Sequence, residues 1–331
     1  MSPEGNGFFT NKRILVTGGA GFIGSNLCEG FLEKGARVVC LDNFSTGYPK
    51  NILALTANPA FELIVGDIRN PDDCAKACNG VADVLHHAAL GSVPRSIEDP
   101  ATTDAVNVGG FVNMLLAARD AGVRRFIYAA SSSTYGDSTE LPKVEEEIGR
   151  PLSPYAVTKY VNELYADVFA RTYGMETVGF RYFNVFGRRQ DPQGAYAAVI
   201  PKFVMQFMAH ESPVINGDGT FSRDFTYIDN VIQINELAIL AENPEALNTL
   251  YNVAFGERIS LNELADTLKS LLSAHDPAIA DLPILHGPER LGDVPHSQAS
   301  IDKARRLLGY NPQYNVQDGL KEAVAWYEEN L

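Results

Sequence analysis

Arg13-Ile14-Leu15-Val16-Thr17-Gly18-Gly19-Ala20-Gly21-Phe22-Ile23-Gly24 is the stretch whose reading decides the fold. Its first five residues are rich in β-branched and leucine side chains, the composition of a buried strand. Glycines follow at once. Phe22 then opens a stretch with helical spacing that runs to Gly35, a usual helix stop. A glycine turn between strand and helix lets the backbone approach a pyrophosphate, and the helix N-terminus favours its charge. Residues 37–41 read as a second strand ending at Asp42, 18 residues after Gly24. A carboxylate there can bond the adenine ribose hydroxyls and repels the extra phosphate of NADP. NAD is therefore the expected cofactor.

Working outward, residues 61–65, 83–87, 125–130 and 176–182 read as further strands. Helical stretches cover 71–79, 103–121 and 155–173. This alternation predicts an α/β fold, a Rossmann-type, doubly wound parallel sheet. Asp67-Ile68 and Ala88-Ala89-Leu90 fall at strand ends, where such sheets line a cofactor crevice. Asp67 is expected near the adenine edge. After about residue 185 the rhythm loosens, and Gly, Pro and Asp gather in 188–194 and 216–220. Helical patterns return at 199–208, 230–241, 261–273 and 316–328. The expected organisation is an NAD-binding domain over 1–185 that also carries the catalytic residues. A smaller mixed α/β substrate lobe, mainly 186–331, is expected to interleave with it.

The 331 residues carry a net charge of −14, with 45% hydrophobic and 21% charged residues. That balance suits an ordinary globular chain and argues against nonspecific nucleic-acid binding, which needs basic surface. A small anionic ligand is compatible, provided a few arginines converge on it. Cys28, Cys40, Cys74 and Cys78 form no Cys-x-x-Cys pair, and the six histidines include no His-x-x-x-His. Neither a disulfide framework nor a metal site is expected. No apolar run reaches the roughly 20 residues of a membrane span. The N-terminus lacks the features of a secretory signal, so a cytoplasmic location is expected.

Tyr155 and Lys159 stand four apart in Ser153-Pro154-Tyr155-Ala156-Val157-Thr158-Lys159. On a helix that spacing puts both on one face, one turn apart. An ammonium beside a phenol favours the phenolate, and the pair reads as a base for an alcohol proton. By itself Tyr-x-x-x-Lys is too common to carry weight; its context carries it.

With Gly18-x-x-Gly21-x-x-Gly24, Asn107-Val108-x-Gly110, Ser131-Ser132-Ser133 and Arg181-Tyr182-Phe183-Asn184, the set resembles the extended short-chain dehydrogenase/reductase family. Within it, Ala88 to Ser96 and Tyr182 to Gln190 are most similar to the UDP-sugar 4-epimerases. The finer likeness is to the UDP-N-acetylglucosamine 4-epimerases of bacterial surface-polysaccharide synthesis. The resemblance implies that Tyr155 is the catalytic base, and that Lys159 holds the nicotinamide ribose and lowers the tyrosine pKa. It places Ser131 beside the sugar 4-hydroxyl with Ser132 and Ser133 lining the same pocket, and leaves open which serine meets the hydroxyl. Cofactor contacts extend to Asn43, Phe44, Ser45, Thr46, Gly47, Asn107 and Tyr182. Ser92 and Asn184 are assigned to the UDP-sugar, Arg223 and Arg290 to its diphosphate, and Asp293 to the uridine ribose.

The reaction implied is NAD-dependent oxidation at sugar carbon 4 and return of hydride to the opposite face, with the cofactor tightly held and regenerated in place. Dehydratases of the family carry acidic residues just after the position of Ser131, and its decarboxylases keep a glutamate nearby. Here Ser131-Ser132-Ser133-Thr134-Tyr135 has no carboxylate, which leaves simple epimerisation. Ser297, seven residues after Arg290, occupies a gate position where tyrosine restricts relatives to UDP-glucose and UDP-galactose. Serine leaves room for a 2-acetamido group. UDP-GlcNAc and UDP-GalNAc are the expected substrates, with the corresponding uronic acids beside them. A homodimer is also implied, built as a four-helix bundle from helices 103–121 and 155–173. Leu164, Tyr165 and Val168 suit that bundle or, equally, the sheet-facing side.

Overall fold

Strand β1 (Arg13–Thr17) is buried on both faces because its side chains alternate between two cores. Ile14 and Val16 join the cluster that holds Leu27 and Phe31 of the helix Phe22–Glu33. Leu15 joins the opposite cluster, with Phe111 and Leu115 of the helix Phe111–Asp120. Two buried faces account for the near-continuous apolar run in its sequence. The computed structural model describes residues 7–192, 198–289 and 294–330.

The other strands are β2 (Arg37–Asp42), β3 (Phe61–Val65), β4 (Asp83–His86), β5 (Arg125–Ser131) and β6 (Glu176–Tyr182). They pair in the order β3-β2-β1-β4-β5-β6, and Thr249–Val253 adds a seventh strand beyond β6. Every pairing is parallel. The order reverses direction at β1, so a crevice opens at the carboxyl ends of β1 and β4. Register decides what meets there: Thr17 pairs with His86, and Ser131 pairs with Tyr182.

The second half of the chain forms helices Val199–Met208, Ile228–Leu240, Leu261–Ser273 and Val316–Asn330. Three short strand pairs accompany them. Val185–Phe186 lies parallel to Thr226–Tyr227, and Val214–Asn216 to Leu285–Gly287. Ser222–Arg223 lies antiparallel to Ile259–Ser260. Helix Leu261–Ser273 starts at a reciprocal capping box between Ser260 and Glu263, a signal legible in the sequence.

Among the elements that differ from expectation, two shape the framework around the sheet. The single helix expected over 103–121 is divided into Pro100–Asp104, a π-helical turn Ala105–Gly110, and Phe111–Asp120. Side-chain demands outside the helix coincide with the break. Asn107 Oδ1 accepts from the Leu90 N–H at 2.8 Å, and its amide donates to the Leu90 carbonyl and the Thr158 hydroxyl. At Gly110 a Cβ would stand 2.5 Å from Ile68 Cδ1, so glycine allows the helix to close on that strand end. The seventh strand went unread, because Thr249-Leu250-Tyr251-Asn252-Val253 shows no clean alternation and lies among helices.

Candidate active site

The glycine turn is a cradle that side chains would fill. Gly18 has φ +68°, and a Cβ on it would stand 2.8 Å from the Ala88 backbone. A Cβ on Gly24 would stand 2.1 Å from the Gly18 carbonyl oxygen. Gly21 caps the helix Phe22–Glu33 without a side-chain hydrogen bond. Its first N–H groups are therefore left for a ligand. Asp42, almost fully buried, accepts from the Ala20 N–H at 2.9 Å and the Phe44 N–H at 2.7 Å. It thus ties the turn to the loop after β2. Asp67 is gripped by Arg69 at 2.6 Å and by Asn43 at 2.9 Å. The Arg69 guanidinium chiefly holds its carboxyl down at about 2.

These elements enclose a cavity of about 370 Å³. Gly18, Gly21, Phe22, Ile23, Gly24, Asp42, Asn43, Ser45, Thr46, Asp67, Ile68, Ala88, Ala89, Leu90, Ser131, Tyr155, Lys159 and Tyr182 all line it. Phe44, Gly47 and Asn107 do not. Gly47 packs on Ala20, where its missing Cβ would stand 2.8 Å away. Asn107 spends its amide on Leu90 and Thr158, so it shapes the 88–90 wall from behind. Leu41, Gly66, His87, Gly91, Val106, Ala129 and Ala130 line the cavity too, and sequence reasoning missed them. The rule that doubly wound sheets bind ligands at strand carboxyl ends could have found Leu41, His87, Ala129 and Ala130. Val106, in the π-helical turn, gave no signal.

At the far end stand Ser131, Tyr155 and Lys159. The helix Pro154–Tyr173 begins with the Ser153 hydroxyl accepting from the Ala156 N–H and proline in its first turn. That start brings Tyr155 beside Ser131, whose hydroxyl is near enough to the phenol to favour its ionised form. Ser133 supports Ser131 with its N–H at 3.1 Å and its hydroxyl at 2.9 Å. Of the three serines, only Ser131 reaches the cavity. Lys159 Nζ donates to the Ala129 carbonyl at 2.8 Å and lies 6.0 Å from the Tyr155 ring centroid. Burial lowers the lysine to about 8. Burial also raises the Tyr155 phenol above its ordinary value, with the nearby Ser131 side chain working against that rise. Burial is the largest influence on the Tyr155 phenol, and the Ser131 side chain is the group that opposes it.

A buried ion pair holds the helix to the sheet. Arg181 Nε and Nη2 donate to the two Glu163 oxygens at 2.8 and 2.7 Å, and both side chains are 3% exposed. Arg181 also donates to the Glu145 carbonyl at 2.9 Å and stacks 4.9 Å from the Tyr135 ring. Glu163 stands one turn beyond Lys159, and Arg181 directly precedes Tyr182.

Of the residues expected to hold substrate, Ser92, Asn184, Arg223 and Ser297 are not among those that line this cavity. Ser92 caps the short helix Val93–Glu98. Asn184, with φ +33°, donates to the Asp224 carbonyl at 2.9 Å, which joins the end of β6 to the Ser222–Arg223 strand. Arg223 Nη1 donates to the Ser222 and Pro295 carbonyls. The Ser297 N–H donates to the Ser222 carbonyl at 3.1 Å, so Ser297 and Arg223 are brought together. Arg290 and Asp293 lie outside the described residues. No group of three potential metal ligands occurs among the described residues, and none of their helices is long and apolar enough to cross a membrane.

Comparison with known proteins agrees with this geometry. Residues 14–254 match the NAD dependent epimerase/dehydratase family, and the chain belongs to it. It is 37% identical to a putative UDP-glucose 4-epimerase of Methanocaldococcus jannaschii, over 96% of this chain and 99% of that one. Among solved structures, it is similar to a UDP-N-acetylglucosamine 4-epimerase from Methanobrevibacter ruminantium in complex with UDP-N-acetylmuramic acid. That match has 34% identity and a TM-score of 0.90, over 97% and 100% of the two chains. A UDP-glucose 4-epimerase with UDP-glucose from Thermotoga maritima matches at 33% identity and a TM-score of 0.88, over 96% and 99%. The protein is an NAD-dependent enzyme of the UDP-sugar epimerase type, and the glycine cradle and Asp42 fit that cofactor.

Proposed function

We propose that the protein interconverts UDP-GlcNAc and UDP-GalNAc by epimerisation at carbon 4, and that it supplies precursors for surface polysaccharide. The observation that carries this reading is the Ser131–Tyr155 pair at the end of the NAD cavity, with no carboxylate in residues 131–135. Such a pair moves one proton to and from a hydroxyl but offers no second acid or base for eliminating water. NAD, when bound, supplies the acceptor and donor of hydride. Ser131 orients the sugar hydroxyl and Tyr155 takes its proton, then returns it. Lys159, buried below the same cavity, keeps a positive charge beside the ribose at neutral pH. Asn184, Arg223, Arg290 and Asp293 hold the uridine diphosphate, and the sugar turns over between the two hydride transfers.

The N-acetylated substrate rests on Ser297, whose small side chain sits next to the Arg223 strand. UDP-glucose is the second reading, favoured by the Methanocaldococcus relative. Incubation with UDP-GlcNAc, its uronic acid and UDP-glucose, without added NAD, separates the two by NMR of the products. Turnover without added cofactor is expected because NAD is retained; no epimer from any substrate would sink the reading.

A dimer accompanies this proposal. Val157, Leu164, Tyr165 and Val168 are 48%, 49%, 38% and 43% exposed on the helix Pro154–Tyr173. Asn162, Glu163, Ala166 and Phe169 face inward instead. Light scattering should give twice the monomer mass, and a monomeric wild type would refute it.

A further inference from the structure

We propose that His87 is a positioning residue that locks the Tyr182 ring as the wall of the cavity beside Ser131. The proposal rests on the cofactor reading above. His87 directly follows β4 and Tyr182 ends β6, and both line the cavity. Their rings lie 5.8 Å apart at 31°. His87 Nε2 is 3.0 Å from the Tyr182 hydroxyl, and Asn235 Nδ2 donates to that hydroxyl at 2.8 Å.

The proton count assigns the bond. Asn235 Nδ2 also donates to the Val231 carbonyl at 2.8 Å, so both of its N–H groups are directed outward. Toward Tyr182 it is a donor only. The phenol proton then needs an acceptor, and Nε2 is the acceptor in reach. Burial keeps the imidazole neutral, pulled down to about 3, so the ring carries one N–H. With Nε2 accepting, that proton sits on Nδ1, which is buried and makes no hydrogen bond of its own. The Tyr182 oxygen is thus held from two sides, by a strand end and by the helix Ile228–Leu240. Ser131 pairs with Tyr182 in register, so a shift of this ring is felt next to the Ser131–Tyr155 pair. Removing the acceptor orphans a buried donor, a loss large enough to change a rate about tenfold.

The test uses the purified protein with the NAD it retains. His87→Phe keeps a ring and removes the acceptor, whereas His87→Gln restores an acceptor. We measure NAD release after dilution, by absorbance of the separated cofactor, together with kcat, KM and the melting temperature. His87→Phe should release NAD about tenfold faster and lower kcat with KM nearly unchanged; His87→Gln should recover most of both. In a Tyr182→Phe background, His87→Phe should add less than about twofold, because the bond is already gone. Wild-type release by His87→Phe, or full additivity with Tyr182→Phe, overturns the proposal. If His87→Phe does not fold, His87→Gln matching Tyr182→Phe in release overturns it equally. A wild-type protein that purifies without NAD and binds none overturns the cofactor reading, and this proposal with it.

Discussion

Replacing Glu163 with Gln tests what holds the helix of Tyr155 and Lys159 in place. The change preserves shape and leaves the Arg181 guanidinium buried without its counter-charge. Both side chains are 3% exposed, so water cannot take over the lost role. Breaking one side of such a pair costs about 3–5 kcal/mol. Arg181 keeps the Glu145 carbonyl at 2.9 Å and the Tyr135 ring at 4.9 Å, which favours the lower end, about 3 kcal/mol. The specific unfolding entropy of globular proteins gives a chain of this length about 0.7 kcal/mol per degree, so Tm should fall by about 4 °C. Differential scanning calorimetry at neutral pH is the assay. Glu163 lies one turn from Lys159, so turnover should fall as well. A double replacement, Arg181→Met with Glu163→Leu, should recover most of the stability, since apolar packing replaces a buried pair at little cost. An unchanged Tm in Glu163→Gln, or a double variant worse than the single one, would refute the argument.

Tyr155→Phe should retain NAD and UDP-sugar yet lose about a hundredfold to ten-thousandfold in kcat, the range for a removed general base; near-normal turnover would mean that the proton goes elsewhere. Lys159 is lowered to about 8 by burial, so between about pH 8 and 10.5 the unfolded chain binds a proton that the folded chain has released. Stability from this group therefore rises with pH across that window. Urea titrations should show wild type gaining on Lys159→Met from pH 8 to 10, and parallel curves would contradict it. Ser297→Tyr should lose activity on UDP-GlcNAc by about tenfold or more relative to UDP-glucose; retention of the N-acetylated activity would remove Ser297 from the gate.

The strand-helix rhythm, the glycine turn and Asp42 were legible in the sequence because each is local. Strand composition, helix stop and turn chemistry lie within a few residues of one another, and the observed bounds of β1, β3 and β6 coincide with the reading. Tyr155 and Lys159 were legible for the same reason, as a spacing on one helix. The seventh strand was not, since Thr249–Val253 is a strand only because β6 offers it an edge. Nor was the π-helical turn, which follows the bonds of Asn107 to Leu90 and Thr158. Charge states were decided in three dimensions too. Sequence spacing suggested that Lys159 governs Tyr155, whereas burial dominates both groups. The sequence by itself determined the fold class, the cofactor and the placing of Tyr155 and Lys159 on one helix face. Only the tertiary structure decided which serine meets Tyr155, what locks Tyr182, and how Arg181 and Glu163 bind helix to sheet, because parallel register joins residues far apart in the chain.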